Sequence, residues 1–372
     1  MIVYLAFTSR LLAMRPGAMP VHLLLTGPPS AGKSYTVQTN LKLFPPEAFH
    51  IVDAGSPRTL IYDQADLRHR AVIFGEADSL PAGEDNPAAS AIRNLLQDHQ
   101  LRYSVTVRDP DTGNFTVREV AKPGPTVLVT TAIRRLGAQL DSRVFTLDIP
   151  DDHTQLQHAL QTQAAIELHG CAEPDVALIA YQGYLQAQVP WDVCVPFVGA
   201  LSDAIAHAVA PARILRDFSR LPSLIKTVTV LRQAHRQRDD QGRLVAEITD
   251  YTVIYDLVGA MYETSVAGAS TPVREAVTAV ETLAGHEPQP VSVTALATAL
   301  GIDKMAASRR VKTAIHHGWL VNAEEKRGKP AKLTLGEPLP ERTGLPTPEA
   351  LADGAESARA GADPARHRCG RR

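Results

Sequence analysis

Residues 21–44 read VHLLLTGPPSAGKSYTVQTNLKLF, and three patterns follow one another in them. Residues 21–25 form an apolar run suited to a buried strand, and Val37, Leu41 and Phe44 recur at helical spacing. Between the two lies the turn Gly27-Pro28-Pro29-Ser30-Ala31-Gly32-Lys33-Ser34. A triphosphate resting on backbone N–H groups at a helix N-terminus requires a loop without bulky side chains, which Gly27, Ala31 and Gly32 supply. In such a loop Lys33 reaches the β- and γ-phosphates and the Ser34 hydroxyl ligates Mg²⁺. Residues 27–35, Tyr35 included, are therefore expected to bind ATP and Mg²⁺.

The rest of the composition sets bounds on this reading. A chain of 372 residues has room for two or three domains, and 44% apolar with 21% charged residues is ordinary for a soluble protein. Three scattered cysteines, Cys171, Cys194 and Cys369, are too few for a disulfide framework or a zinc cluster, so a reducing, cytoplasmic setting is expected. No run reaches the length of a membrane span, and no membrane partner is expected. At the start of the chain Arg10 interrupts the apolar run of residues 2–14, which argues against a signal peptide. The spacing predicts instead an amphipathic helix there, packed on the core domain, in a chain that begins partway through a longer parent.

Downstream, apolar runs near residues 50–55, 71–74, 126–131 and 144–149 alternate with helical patterns and predict four more strands. Five strands with intervening helices in the first 150 residues argue for a parallel, three-layer α/β core. The run at 71–74 ends in Gly75, Glu76, Ala77 and Asp78. An acid at the carboxyl edge of a strand beside the phosphate loop can activate the attacking water, which makes Glu76 the candidate base; Asp78 is a candidate for the metal through water. The alternating arms of residues 103–120, around a turn rich in Asp, Pro and Gly, predict a β-hairpin with Arg108 and Arg118 on it. Residues 151–268 read as mostly helical, and Arg213 and Arg216 lie there at helical spacing, either reaching a γ-phosphate from a helical lid or forming a solvated basic face.

Residues 269–336 carry a helix, a helix-turn-helix and a strand-turn-strand, the pattern of a winged helix. From Asp303 to Lys332 eight basic residues face three acidic ones, in a chain whose net charge is -2. Lys304, Arg309, Arg310, Lys312, Lys326, Arg327 and Lys329 are thus candidates for DNA phosphate contact, protein contact being the other use of such a module. Residues 337–372, rich in Pro, Ala, Gly and charge, are expected to form a disordered tail.

The order of these motifs resembles the AAA+ ATPases, and within them the group with a hairpin before sensor 1, such as minichromosome maintenance helicases and the ATPase modules of bacterial and phage primase-helicase proteins. By that resemblance GPPSAGKS is the Walker A motif and VIFGE the Walker B, with Gly75 where most members carry Asp. Thr130 or Thr131 stands at sensor 1, Arg213 or Arg216 at sensor 2, and Arg143 matches the arginine that completes a neighbouring subunit's site. The resemblance implies a self-assembled ring, a hexamer, with DNA in its channel against the hairpin and with primase or other replication proteins as partners. The function expected is a helicase-like, DNA-acting ATPase of replication or plasmid or phage maintenance. The alternative is a nucleotide-gated transcriptional regulator that reads DNA with its winged helix.

Overall fold

A strand buried on both faces reads as a continuous apolar run, and the centre of this protein is built from such strands. In the computed structural model the described residues are 1–15, 19–52, 63–76, 94–98, 100–108, 113–133, 143–149, 153–171, 173–207, 218–266, 271–285, 289–324, 329–339 and 344–360. The strands are β1 (Leu23–Thr26), β2 (Phe49–Val52), β3 (Arg70–Glu76), β4 (Leu101–Arg108), β5 (Phe115–Lys122), β6 (Thr126–Ala132), β7 (Phe145–Asp148), β8 (Val193–Cys194), β9 (Leu244–Val245), β10 (Leu320–Asn322) and β11 (Leu333–Leu335). The helices are α1 (Ile2–Thr8), α2 (Lys33–Leu41), α3 (His153–His169), α4 (Val176–Gln186), α5 (Val198–His207), α6 (Arg220–Leu231), α7 (Ile248–Val266), α8 (Thr271–Ala284), α9 (Val293–Leu300), α10 (Lys304–His316) and α11 (Pro348–Ala360).

The protein is mixed α/β around a parallel sheet in the order β2-β3-β6-β1-β7. All residues of β1 and β6 are buried, as the inner strands of a sheet covered on both faces must be. Leu24, Val72, Phe74 and Leu128 share one core cluster with Leu95, Leu96 and Leu101. The hairpin expected at residues 103–120 is the antiparallel pair β4–β5, in register from Leu101 opposite Lys122 to Arg108 opposite Phe115. Tyr103 and Val120 pack its base on the core, while Phe115 and Val117 near its tip are exposed.

The chain divides into two compact units, Met1–Val198 with Leu215–Ile254, and Gly199–Ile214 with Tyr255–Arg372. In the second unit α8, α9 and α10 enclose Val273, Val277, Val280, Leu296, Val311 and Trp319. Ser292 caps α9, Gly301 ends it in the left-handed region at φ 64°, and Asp303 caps α10, which gives a tight helix-turn-helix. β10 pairs with β11, and Val291 adds a backbone bridge to Leu333.

Two expectations are corrected. The N-terminal helix spans only Ile2–Thr8, continues as a tight turn to Leu11, and is buried on all sides from Val3 to Leu12 rather than along one face. Two of its hydroxyls bond within the segment: Thr8 Oγ1 donates to Tyr4 O at 2.8 Å and Ser9 Oγ to Ala6 O at 2.7 Å. Arg10 is fully buried with no described carboxylate beside it; it donates to Phe7 O at 2.9 Å and to Gln182 Oε1 at 3.3 Å, and lies over the Phe44 ring. Burial pulls its pKa down to about 9. The second correction concerns the expected disordered tail, which contains α11. Thr347 caps that helix through Ala350 N, Pro348 opens it, and Leu351 is buried.

His69 ties the N-terminal segment to the sheet, its Nδ1 lying 2.7 Å from Arg10 O, so Nδ1 carries the proton. Burial, opposed by that bond, holds its pKa below the ordinary 6.5. As pH falls below that value the unfolded chain binds a proton that folded His69 resists, so stability is lost from there down through the folded pKa. Between about pH 7 and 5 the thermal midpoint is expected to fall more steeply in the wild type than in His69→Asn. Asn supplies a side-chain N–H and accepts the positive φ of 55° at this position, so equal slopes in the two proteins would contradict the assignment.

Candidate functional site

The loop between β1 and α2 leaves the carboxyl edge of the sheet at a strand with parallel neighbours on both sides, β6 and β7. In open parallel sheets ligands bind at this edge. Three of its residues have positive φ, Gly27 at 157°, Ser30 at 67° and Gly32 at 88°. A Cβ on Gly27 would meet Ile149 O at 3.1 Å, so that glycine allows a close approach, whereas the space around Gly32 is open and only its backbone conformation calls for glycine. Thr36 N and Oγ1 both donate to Gly32 O at 2.9 Å and fix the first turn of α2. The Lys33 ammonium lies back across the loop and donates to Gly27 O and Pro28 O, each at 2.7 Å.

Strand register gathers other groups at this edge. Thr131 stands opposite both Leu25 and Glu76, and in the next row Thr26 stands opposite both Ala132 and Asp148. β6 therefore separates β3 from β1, which corrects the expectation that the Glu76 strand lies beside the loop strand. Two strand spacings put the Glu76 backbone about 10 Å from β1. A register shift between Phe74 and Glu76 makes Gly75 the extra residue of a bulge, and Thr130 Oγ1 donates to its carbonyl at 2.8 Å.

Thr131 lines a cavity of about 400 Å³ together with Ser30, Gly32, Lys33, Ser34 and Tyr35, and Gln163 of α3 borders the same space. A second cavity of about 520 Å³, on Thr26, Gly27, Pro28 and Pro29, is bounded by Asp148, whose carboxylate accepts a hydrogen bond from Thr26 Oγ1. Asp148 and Gln163 were missed in the sequence. The signal for Asp148 was available, since it ends the fifth strand as Glu76 ends the third; nothing local marks Gln163 among the glutamines of α3.

The remaining candidates are dispersed. Arg143 precedes β7 at the amino edge of the sheet, where its Nη2 donates to Gln97 Oε1 at 3.3 Å. Five residues of strand put it about 16 Å from the row of Asp148 and Thr26. Arg108 is exposed, with Nε donating to Gly113 O at 3.1 Å. On α10, Lys304, Arg309 and Lys312 are exposed opposite the buried Ala307, Val311 and Ala314, and Lys329 is also exposed. Arg310 instead pairs with Glu275 Oε2 at 3.0 Å and so braces α10 against α8. Asp78, Arg213, Arg216, Lys326 and Arg327 lie outside the described residues, as do the side chains of Glu76 and Arg118.

Mg²⁺ keeps much of its water and takes one or two protein oxygens plus phosphate, so an exposed Ser34 hydroxyl at the mouth of the loop fits it without a protein cage. No described group of three His, Cys, Asp or Glu side chains could hold a metal by itself, and no described helix is long and apolar enough to cross a membrane. In comparison with known proteins, no family model matches the chain and no curated protein matches its sequence.

The geometry separates the two threonines. Thr130→Val, which orphans the bulge carbonyl of Gly75, is expected to lower unfolding free energy by about 1 kcal/mol in urea titrations. Thr131→Val is expected to change it by less than about 0.5 kcal/mol. The reverse ranking would contradict the assigned hydrogen bond.

Proposed function

We propose that this protein is an ATP-binding and ATP-hydrolysing P-loop protein of the AAA+ type that acts on DNA. The observation that carries the reading is the loop of residues 27–34: it joins a central parallel strand to a helix N-terminus, takes positive φ at Gly27, Ser30 and Gly32, and keeps the Lys33 ammonium over its mouth. Backbone N–H groups at the start of α2 have no partner within the helix, and the positive end of the helix dipole favours an anion there. Lys33 exchanges the Gly27 and Pro28 carbonyls for phosphate oxygens. The Ser34 hydroxyl would hold Mg²⁺, which would supply neutralisation of the triphosphate's charge.

Two residues then address the water. Glu76, across from Thr131 and about 10 Å from β1, has room for the γ-phosphate and the attacking water between itself and the loop, and serves as the base. Thr131, whose neighbour Thr130 is engaged with the bulge, takes the sensor 1 position and orients that water. Gly75 leaves the Mg²⁺ without the carboxylate usual at that place, which predicts slow turnover.

Arg143 cannot serve its own chain's nucleotide, because it lies at the opposite edge of the sheet from the loop. As an arginine finger it acts on the site of a neighbouring subunit, and hydrolysis then requires assembly into a ring. DNA contact is assigned to Lys304, Arg309 and Lys312 on a winged helix made of α8, α9, α10, β10 and β11, and to Arg108 on the hairpin. A nucleotide-gated regulator would use the same exposed face of α10, but it has no need of the β4–β5 hairpin directly before β6.

ATP hydrolysis with and without single-stranded DNA tests this reading. Turnover is expected to rise with DNA, to fall at least about 100-fold in Glu76→Gln and in Arg143→Ala, and to recover in part when Arg143→Ala is mixed with Lys33→Ala. Recovery on mixing distinguishes action on a neighbour from action within one chain. Turnover in monomeric protein that Arg143→Ala leaves unchanged would overturn the arrangement, and binding to one duplex sequence without DNA-stimulated hydrolysis would favour the regulator.

A further inference from the structure

Helix α3 starts five residues after β7 ends at the carboxyl edge of the sheet. It is exposed along most of its length, with Leu156 at 57% and Leu160 at 58%. At 100° per residue Leu156, Leu160, Gln163 and Glu167 fall within about 60° of arc, so the face that carries Gln163 also carries two uncovered leucines. Gln163 borders the cavity formed by Lys33, Ser34 and Thr131. These are the residues that address the β- and γ-phosphates rather than the base or ribose. Apart from histidines, the only ionisable side chain on α3 is Glu167. The helix therefore presents no arginine or lysine to the phosphates.

We propose that Gln163 is the side chain with which α3 reads the terminal phosphate, its carboxamide N–H donating to a γ-phosphate oxygen of the nucleotide held by Lys33. The inference rests on the nucleotide reading of residues 27–34. A neutral donor suits this position: it recognises the phosphate by a directed hydrogen bond and adds no charge to a site in which Lys33 and Mg²⁺ already neutralise the triphosphate. Because ADP lacks the γ-phosphate, Gln163 is a source of preference for ATP over ADP.

Equilibrium titration with fluorescent analogues of ATP and ADP, in Mg²⁺, tests the proposal without reference to turnover. Gln163→Ala is expected to weaken ATP about five- to tenfold and to leave ADP within about twofold, since one hydrogen bond to a charged group is lost. Gln163→Glu, which sets a carboxylate against the phosphate, is expected to weaken ATP further, by about 30-fold or more. Gln163 is exposed, so both variants are expected to keep the wild-type thermal midpoint. Lys33→Ala serves as the reference. If it abolishes binding while the Gln163 variants bind both nucleotides as the wild type does, or lose both equally, the role of Gln163 is overturned and the loop assignment stands. If the wild type binds neither nucleotide, or Lys33→Ala binds as well as the wild type, the nucleotide reading itself fails and the proposal with it.

Discussion

Pairing of β1 with parallel neighbours on both sides is the constraint on which the rest of the structure depends. It makes β1 an inner strand of a sheet covered on both faces, and Leu23, Leu24 and Leu25 are fully enclosed. A strand so enclosed can end only at the sheet's carboxyl edge, and its successor helix must turn there in few residues. Gly27 passes Ile149 O where a side chain would collide, and Gly32 takes a left-handed conformation just before α2. The proposed phosphate contact rests on the same geometry, because the Lys33 ammonium lies across the loop from which α2 starts.

The same parallel pairing orders the other candidates by depth. Residues at or next to the carboxyl ends of their strands, Glu76, Thr131 and Asp148, lie at the edge from which the loop leaves, whereas Arg143, which precedes its strand, lies at the far edge. The bulge at Gly75 adds a further distinction. Its carbonyl accepts a hydrogen bond from the Thr130 hydroxyl, while Thr131 lines the cavity that it shares with Lys33 and Ser34.

The five strands were legible because inner parallel strands are uninterrupted apolar runs, and α9 and α10 because Ser292, Gly301 and Asp303 mark their ends. The order of the strands was not legible, since crossovers rather than local pattern decide which strands pair; Glu76 accordingly stands one strand farther from the loop than expected. The N-terminal helix is buried on all sides rather than along one face because groups remote in sequence meet it there: Gln182 and the Phe44 ring, with Phe7 O, take up the Arg10 guanidinium. Composition hid α11, although Thr347, Pro348 and Glu349 spell a helix start. Gln163 owes its place to the path of α3 after β7, which no local spacing encodes.

Hydrogen exchange at backbone amides, compared with and without Mg·ATP, tests the central claim most directly, because the loop is held to bind phosphate through those amides. The account predicts slowed exchange confined to peptides covering residues 27–36 and 131–133, and its loss in Lys33→Ala. Unchanged exchange in the loop at saturating nucleotide, or protection that appears only elsewhere in the chain, would contradict it.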